Sequence, residues 1–336
     1  MQETRRAVLD AIADGPVSGP DLAARLEISR AAVWKHVEAL RAVGFGVAST
    51  DAGYALDGVP DYGGPAVEFG LDAPFEVEFH PSLPSTNARA RDLAAAGGTD
   101  IAVLADEQTG GRGRLDREWT SPTGGVWLSI LCRPDLPPAR APIYTLAAAV
   151  ATTRAVRAEG VDAGIKWPND VLVRDQWNGN GSGNENENRN KNENKGSEAR
   201  ERKLAGILTE MQGEADRIAW IVVGIGLNAN VDSEDIPLRA TSMRETVGDV
   251  DRRALVQRLL SEFDALRTDP DSILPAWREF AFTLGRRVRV ETARETIVGE
   301  AVDVRFPGTL VLETFEGRVS VSVGDCEHLR PATNGR

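Results

Sequence analysis

Gln108-Thr109-Gly110-Gly111-Arg112-Gly113-Arg114-Leu115-Asp116-Arg117-Glu118-Trp119 separates two runs that read as buried strands, Ile101-Ala102-Val103-Leu104 and Val126-Trp127-Leu128-Ser129-Ile130-Leu131. Glycines let a backbone approach a ligand closely. The interleaved arginines add fixed charge and planar donors suited to phosphate or carboxylate oxygens. Composition alone fits a solvated basic turn equally well, because Gly-Arg runs also occur in RNA-binding tails. The position between two strands argues against a tail. Farther on, Ala141 to Glu159 has the length and alanine content of a helix. Strands and helices mix without strict βαβ alternation, which predicts an α+β domain on a mixed sheet.

Three further clusters bear on chemistry. Lys166-Trp167-Pro168-Asn169-Asp170 ends a strand with a cation, an amide and a carboxylate; Asp170 could hold magnesium and Asn169 a phosphate or ribose. Arg202-Lys203-Leu204-Ala205-Gly206-Ile207-Leu208 sets Lys203 at the mouth of an apolar strand, within reach of a carboxylate or α-phosphate. Ser85-Thr86-Asn87 places short polar residues at the start of a helix holding Arg89 to Ala96. Taken singly, the first reads as readily as a plain turn with Trp167 in the core and the second as a solvated strand end.

Outward from this centre the chain divides. Residues 1–58 read as a winged helix-turn-helix. Val8, Leu9 and Ile12 form one apolar stripe, Leu22 and Leu26 a second, and Val33, Val37 and Leu40 a third behind the N-cap candidate Ser29; a small hairpin turns at Asp51. Residues 59–74 are rich in Gly and Pro and are expected to be a linker, and residues 75–282 the catalytic domain. Within the latter, 177–200 is dominated by Asn, Glu, Gly and Lys and is expected to be a disordered insert between Val171-Leu172-Val173 and Leu204-Ala205-Gly206-Ile207-Leu208. Residues 283–331 alternate in short runs, Val288-Arg289-Val290, Val298 to Val302, Leu310-Val311-Leu312 and Val319-Ser320-Val321, which predict a small SH3-like β-barrel.

Whole-chain properties narrow the class. No run approaches the ~18 apolar residues of a membrane span. The start lacks a signal-peptide stretch, so a soluble, cytoplasmic protein with no membrane partner is expected. Cys132 and Cys326 have no CxxC spacing and His36, His80 and His328 are scattered, which disfavours a zinc site or disulfide framework. The net charge of -12 disfavours non-specific attraction to a polyanion. The winged domain itself sets six Lys/Arg against eight Asp/Glu, yet Arg30 and Lys35 fall on its third helix, so DNA binding stays open.

The four clusters, in this order and behind a winged helix, resemble the biotin protein ligase family of the bifunctional bacterial type, which doubles as a biotin-operon repressor. Ser29-Arg30-Ala31-Ala32-Val33-Trp34-Lys35-His36 resembles its recognition helix; Gly111-Arg112-Gly113-Arg114, Lys166 to Asp170 and Lys203 to Leu208 resemble its ligase signatures. The resemblance implies a class II synthetase-like central domain. It implies an enzyme that uses ATP and Mg²⁺ to convert biotin to biotinyl-AMP, then transfers biotin to a lysine of a biotin carboxyl carrier protein. By the same resemblance, Ser85, Thr86, Asn87 and Gln108 hold biotin, joined by Arg112, Gly113, Arg114 and Lys203. Arg114, Arg117, Asn169 and Asp170 serve the nucleotide, Asp170 its magnesium, and Lys203 and Arg114 act in catalysis. Arg30 and Lys35 would meet operator DNA, with a homodimer bridging two half-sites. The family's loop has a further glycine between arginines where this chain reads Leu115-Asp116-Arg117. Two alternatives share much of this pattern: a lipoate ligase, and a biotinyl-AMP-sensing regulator without transferase activity.

Overall fold

Ser29 does cap a helix: its hydroxyl accepts from the Ala32 amide at 3.1 Å, and the chain continues as α3 (Arg30–Ala42). With α1 (Glu3–Ala13), α2 (Gly19–Arg25) and the antiparallel wing of β1 (Gly46–Thr50) and β2 (Gly53–Gly58), α3 completes a winged helix-turn-helix. Its core is separate from that of the remaining chain and draws on the three stripes read from sequence. The computed structural model describes residues 1–175, 200–214 and 216–329. The Asn-rich stretch expected to be a disordered insert falls almost wholly outside them.

The stretch expected to be a linker is packed on both sides. It holds the short helix α4 (Gly64–Glu68), and Val67 and Leu71 join the central core while Val59 and Phe69 lie on the winged domain's core. Phe69 meets Phe45 edge-on at 6.0 Å. Gln257 donates to the carbonyls of Val67 and Phe69 at 2.9 and 2.7 Å, and buried Glu68 pairs with the Met1 ammonium and accepts from the Val77 amide. Glycine and proline content marks irregular backbone; it does not reveal that apolar residues spaced between them find two surfaces at once.

The central domain is a seven-stranded mixed sheet in the order β3-β4-β5-β9-β8-β7-β6. The strands are β3 (Glu76–Leu83), β4 (Ile101–Gln108), β5 (Val126–Cys132), β6 (Ala163–Lys166), β7 (Asp170–Asp175), β8 (Arg200–Gly213) and β9 (Ile218–Leu227). Only β3 and β4 run parallel; the other named pairs are antiparallel. On one face lie α6 (Pro142–Ala158), α8 (Arg252–Thr268) and α9 (Ile273–Phe280), burying alternate residues such as Leu128, Ile130, Val223 and Ile225. On the other, α5 (Thr86–Ala95) covers Val103, Leu131 and Val222 and leaves the rest of that face open, while the short α7 (Met243–Val247) caps a loop after β9. The site occupies this open part.

A five-stranded antiparallel sheet closes the chain, in the order β13-β12-β11-β10-β14: β10 (Arg287–Glu291), β11 (Thr296–Arg305), β12 (Thr309–Thr314), β13 (Gly317–Val321) and β14 (Asp325–His328). Four of these strands are the alternating runs of the sequence. The fifth, Asp-Cys-Glu-His, has no such signal and forms because β10 offers it an edge. The core of this sheet is continuous with that of the central domain.

A polar cluster ties the two together beneath β8. Glu201 accepts from Arg286 at 2.9 Å and from His328 at 3.0 Å, with Arg174 at 3.4 Å; Thr283 bridges His328 and the Trp167 amide. Burial by itself raises the Glu201 carboxyl, but the His328 hydrogen bond and the arginine charges more than offset it and hold Glu201 at about 2. A carboxylate depressed in the fold adds stability above its unfolded value of about 4.3, and that stability is lost as pH falls toward the folded value. Solvent reaches part of the cluster and screens these charges, so Glu201→Gln is expected to cost about 1 to 2 kcal/mol near neutrality and to flatten the loss of stability on acidification. Urea unfolding followed from neutral pH to below pH 3 measures both; parallel acid profiles for the variant and the wild type would contradict the assignment.

Candidate active site

Local sequence places the polar end of the site. Ser85 caps α5, accepting from the Ala88 amide at 3.3 Å, which turns Thr86 and Asn87 inward; both are buried. The Thr86 amide and hydroxyl donate to Gln108 Oε1 at 2.8 and 3.0 Å, and Gln108 Nε2 donates to Ser121 at 3.0 Å. Ser129, fully buried in β5, lies 2.7 Å from Thr86 Oγ1 and 2.6 Å from Asn87 Oδ1, while Asn87 Nδ2 donates to Glu210 at 2.7 Å. Asn87 fits only because β9 has glycine beside it: a Cβ at Gly224 would sit 2.2 Å from Asn87 Oδ1. The result is a fixed array of donors and acceptors at one end of a cavity of about 770 Å³, a size suited to a small ligand.

The other end is charged. Lys203 Nζ pairs with Asp170 at 2.6 Å and lies 4.8 Å from the centre of the Trp119 ring. That indole rests on Gly206 and Gly226, register partners on β8 and β9, where added Cβ atoms would approach it to 3.2 and 2.6 Å. Arg114 donates to Asn169 Oδ1 at 3.1 Å, and Asn169 Nδ2 is fixed on the Ile207 carbonyl at 2.8 Å. A β-bulge aims Lys203 here. Opposite Val171 and Leu172 the ladder slips, so Leu204 and Ala205 both enter the core and Lys203 shares the cavity face with Gly206 and Leu208.

Every sequence-derived ligand residue from Ser85 to Lys203 lines this one cavity: Ser85, Thr86, Asn87, Gln108, Arg112, Gly113, Arg114, Arg117, Asn169, Asp170 and Lys203. Arg30 and Lys35 stand apart, exposed on α3 with Trp34 between them. Sequence reading did not single out Ser129, Glu210, or Gly224 and Gly226. Gly224 and Gly226 did carry a signal, two glycines at period two within Val223-Gly224-Ile225-Gly226-Leu227, which leaves one face of a strand without side chains. Among the described residues no group of three or more His, Cys, Asp or Glu is placed to hold a metal ion, and no helix is long and apolar enough to cross a membrane. Asp170 is the carboxylate at this end of the cavity that could join a magnesium ion whose other ligands come from phosphate and water; one of its oxygens is engaged by Lys203 at 2.6 Å.

Comparison with known proteins agrees with this layout. The profile of the Biotin/lipoate A/B protein ligase family matches residues 80–228, an HTH domain profile residues 5–55 and the Biotin protein ligase C terminal domain profile residues 283–329. The chain is 36% identical over 333 residues to the Bifunctional ligase/repressor BirA of Bacillus subtilis, covering 93% of each. It is 32% identical over 260 residues to the Biotin--[acetyl-CoA-carboxylase] ligase of Mycobacterium tuberculosis, covering 73% of this chain and 86% of that one. Among solved structures, the Biotin protein ligase from Aquifex aeolicus in complex with biotin and ATP shares the fold at a TM-score of 0.56 and 24% identity, over 76% of this chain and 99% of that chain. With its winged domain, its ligase domain and its C-terminal domain all matched, the chain belongs to the biotin protein ligase family in the form that carries an N-terminal helix-turn-helix.

Proposed function

We propose that the cavity binds biotin at its Thr86, Asn87 and Gln108 end and ATP at its Lys203, Asn169 and Arg114 end, and that the two meet at Lys203. The observation behind this reading is the convergence, in one cavity, of a neutral hydrogen-bonding array with a lysine and an arginine. A biotin carboxylate oxygen attacks the α-phosphorus, the bond to the bridging oxygen of pyrophosphate breaks, and biotinyl-AMP forms. Lys203 and Arg114 stabilise the negative charge that builds on the phosphoryl oxygens. Asp170 would hold a magnesium ion, which would supply further charge neutralisation. In the second step a neutral lysine amine of a biotin carboxyl carrier protein attacks the acyl carbon. The bond to AMP breaks, the amide forms and the amine gives up a proton. Trp119 and the loop around it keep water from the anhydride.

The exposed face of α3, with Arg30, Trp34 and Lys35, favours a second role as a biotin-responsive repressor in the cytoplasm. In that role a homodimer loaded with biotinyl-AMP meets two half-sites of an operator. Incubation of the protein with ATP, Mg²⁺ and biotin should yield biotinyl-AMP, pyrophosphate and a biotinylated carrier, and lipoate in place of biotin should yield none. Activation of lipoate in preference to biotin would overturn the substrate assignment. A gel shift on DNA from the promoter of its biotin genes, with and without biotinyl-AMP, tests the repressor role. No shift in either condition would leave a ligase alone.

A further inference from the structure

The arginine loop adopts a conformation that its own residues oppose. Leu115 and Asp116 both have left-handed backbone, φ 55° and 58°, at the point where a glycine would be at ease. Non-glycine residues keep such angles only where surrounding contacts over-determine them. Contacts within the loop are short-range: the Gly113 amide donates to the Arg117 carbonyl at 2.7 Å, the Arg117 amide to the Arg114 carbonyl at 3.3 Å and the Trp119 amide to the Gly111 carbonyl at 3.0 Å. Arg112 donates to the Asp116 carbonyl at 3.4 Å and lies 3.6 Å from its carboxylate, on an exposed surface where ion pairs add little. Leu115 itself is 76% exposed, so packing does not fix it.

Beyond these bonds and the one from Arg114 to Asn169, the loop is held by the C-terminal domain. Arg114 donates to the Gly324 carbonyl at 3.0 Å and lies 3.5 Å from the Asp325 carboxylate, whose other oxygen accepts from Arg117 at 2.5 Å. The turn that offers these groups is closely packed. A Cβ on Gly324 would stand 2.6 Å from Val290 and 2.9 Å from the Glu291 carbonyl, and Asp325 pairs with Glu291 in the sheet. One carboxylate thus holds both cations that flank the two strained residues, from a chain position more than 200 residues away.

We propose that Asp325 is a positioning residue for the ligase reaction: it anchors the Arg114–Arg117 loop over the nucleotide end of the cavity, so that retention of the adenylate depends on the C-terminal domain. This rests on the adenylate-forming reading above. Asp325 touches no reacting atom. Its role is to keep Arg114 on Asn169 and the loop in place between the two steps, which is where a mobile segment loses a reactive intermediate to water.

The test measures dissociation of biotinyl-AMP from the full-length protein, by chase with unlabelled biotin and ATP, alongside steady-state constants for each substrate. Asp325→Asn should release biotinyl-AMP roughly tenfold faster, with KM for biotin within about twofold of wild type and an unchanged melting temperature. Asp325→Glu should restore retention. Adding Asp116→Gly to Asp325→Asn should recover part of it, because the loop then needs less restraint. Release at the wild-type rate from Asp325→Asn would overturn the proposal, as would a lower KM for ATP with retention unchanged, which would make Asp325 only a repulsive charge. Wild-type protein that makes no biotinyl-AMP would instead overturn the ligase reading and this proposal with it.

Discussion

Lys203→Ala is expected to lower the rate of biotinyl-AMP formation by about 10²- to 10³-fold, the usual effect of removing one donor that faces charge developing in a transition state. The side chain reaches the cavity from a bulge and is about one-third exposed, so its loss should leave the fold and melting temperature close to wild type. Two consequences separate this from a packing defect. Affinity for biotin should fall far less than the rate, since only the carboxylate loses its cation while the Thr86, Asn87 and Gln108 array, which does not contact Lys203, stays intact. Chemically supplied biotinyl-AMP should still be transferred to the carrier lysine, because the first step is the one that needs the cation most. Biotin-dependent exchange between pyrophosphate and ATP measures the first step alone; a wild-type exchange rate in soluble Lys203→Ala would remove Lys203 from the chemistry.

Gly224→Ala is expected to abolish tight biotin binding through a single methyl group. That methyl would lie 2.2 Å from Asn87 Oδ1, so Asn87 must leave its bonds to Ser129 and Glu210. Ser129 is fully buried and would then lose one of its two partners. A hydrogen-bonding position lost from the biotin array costs about 1 to 3 kcal/mol, which corresponds to roughly 5- to 150-fold in affinity. Overpacking adds a loss of stability of similar size. Titration calorimetry with biotin and a thermal melt measure the two effects. Wild-type biotin affinity in Gly224→Ala would show that the Asn87 array is not the biotin subsite.

The residues that decide both experiments were unequally legible. Lys203 could be named from sequence because it stands beside an apolar run, but its direction could not. Strict alternation from Lys203 would send Leu204 to one face and Ala205 to the other; the bulge sends both into the core. Gly224 lay in plain view as one of two alternating glycines, yet its partner Asn87 is on another element, brought there by the packing of α5 on the sheet.

The sequence by itself determined what nearest neighbours along the chain determine. Serine hydroxyls three residues ahead of an amide cap α3 and α5, apolar stripes make the winged domain, and period-two runs make four strands of the C-terminal sheet. It also contained the four clusters of the site, since each is local. Only the tertiary structure decided how those clusters meet. The burial of Val67, Phe69 and Leu71 on two domains, the pairing of β14 and the hold of Asp325 on Arg114 and Arg117 all join residues far apart in the chain. Such contacts follow from which surfaces a folded core leaves open, and no local propensity records that.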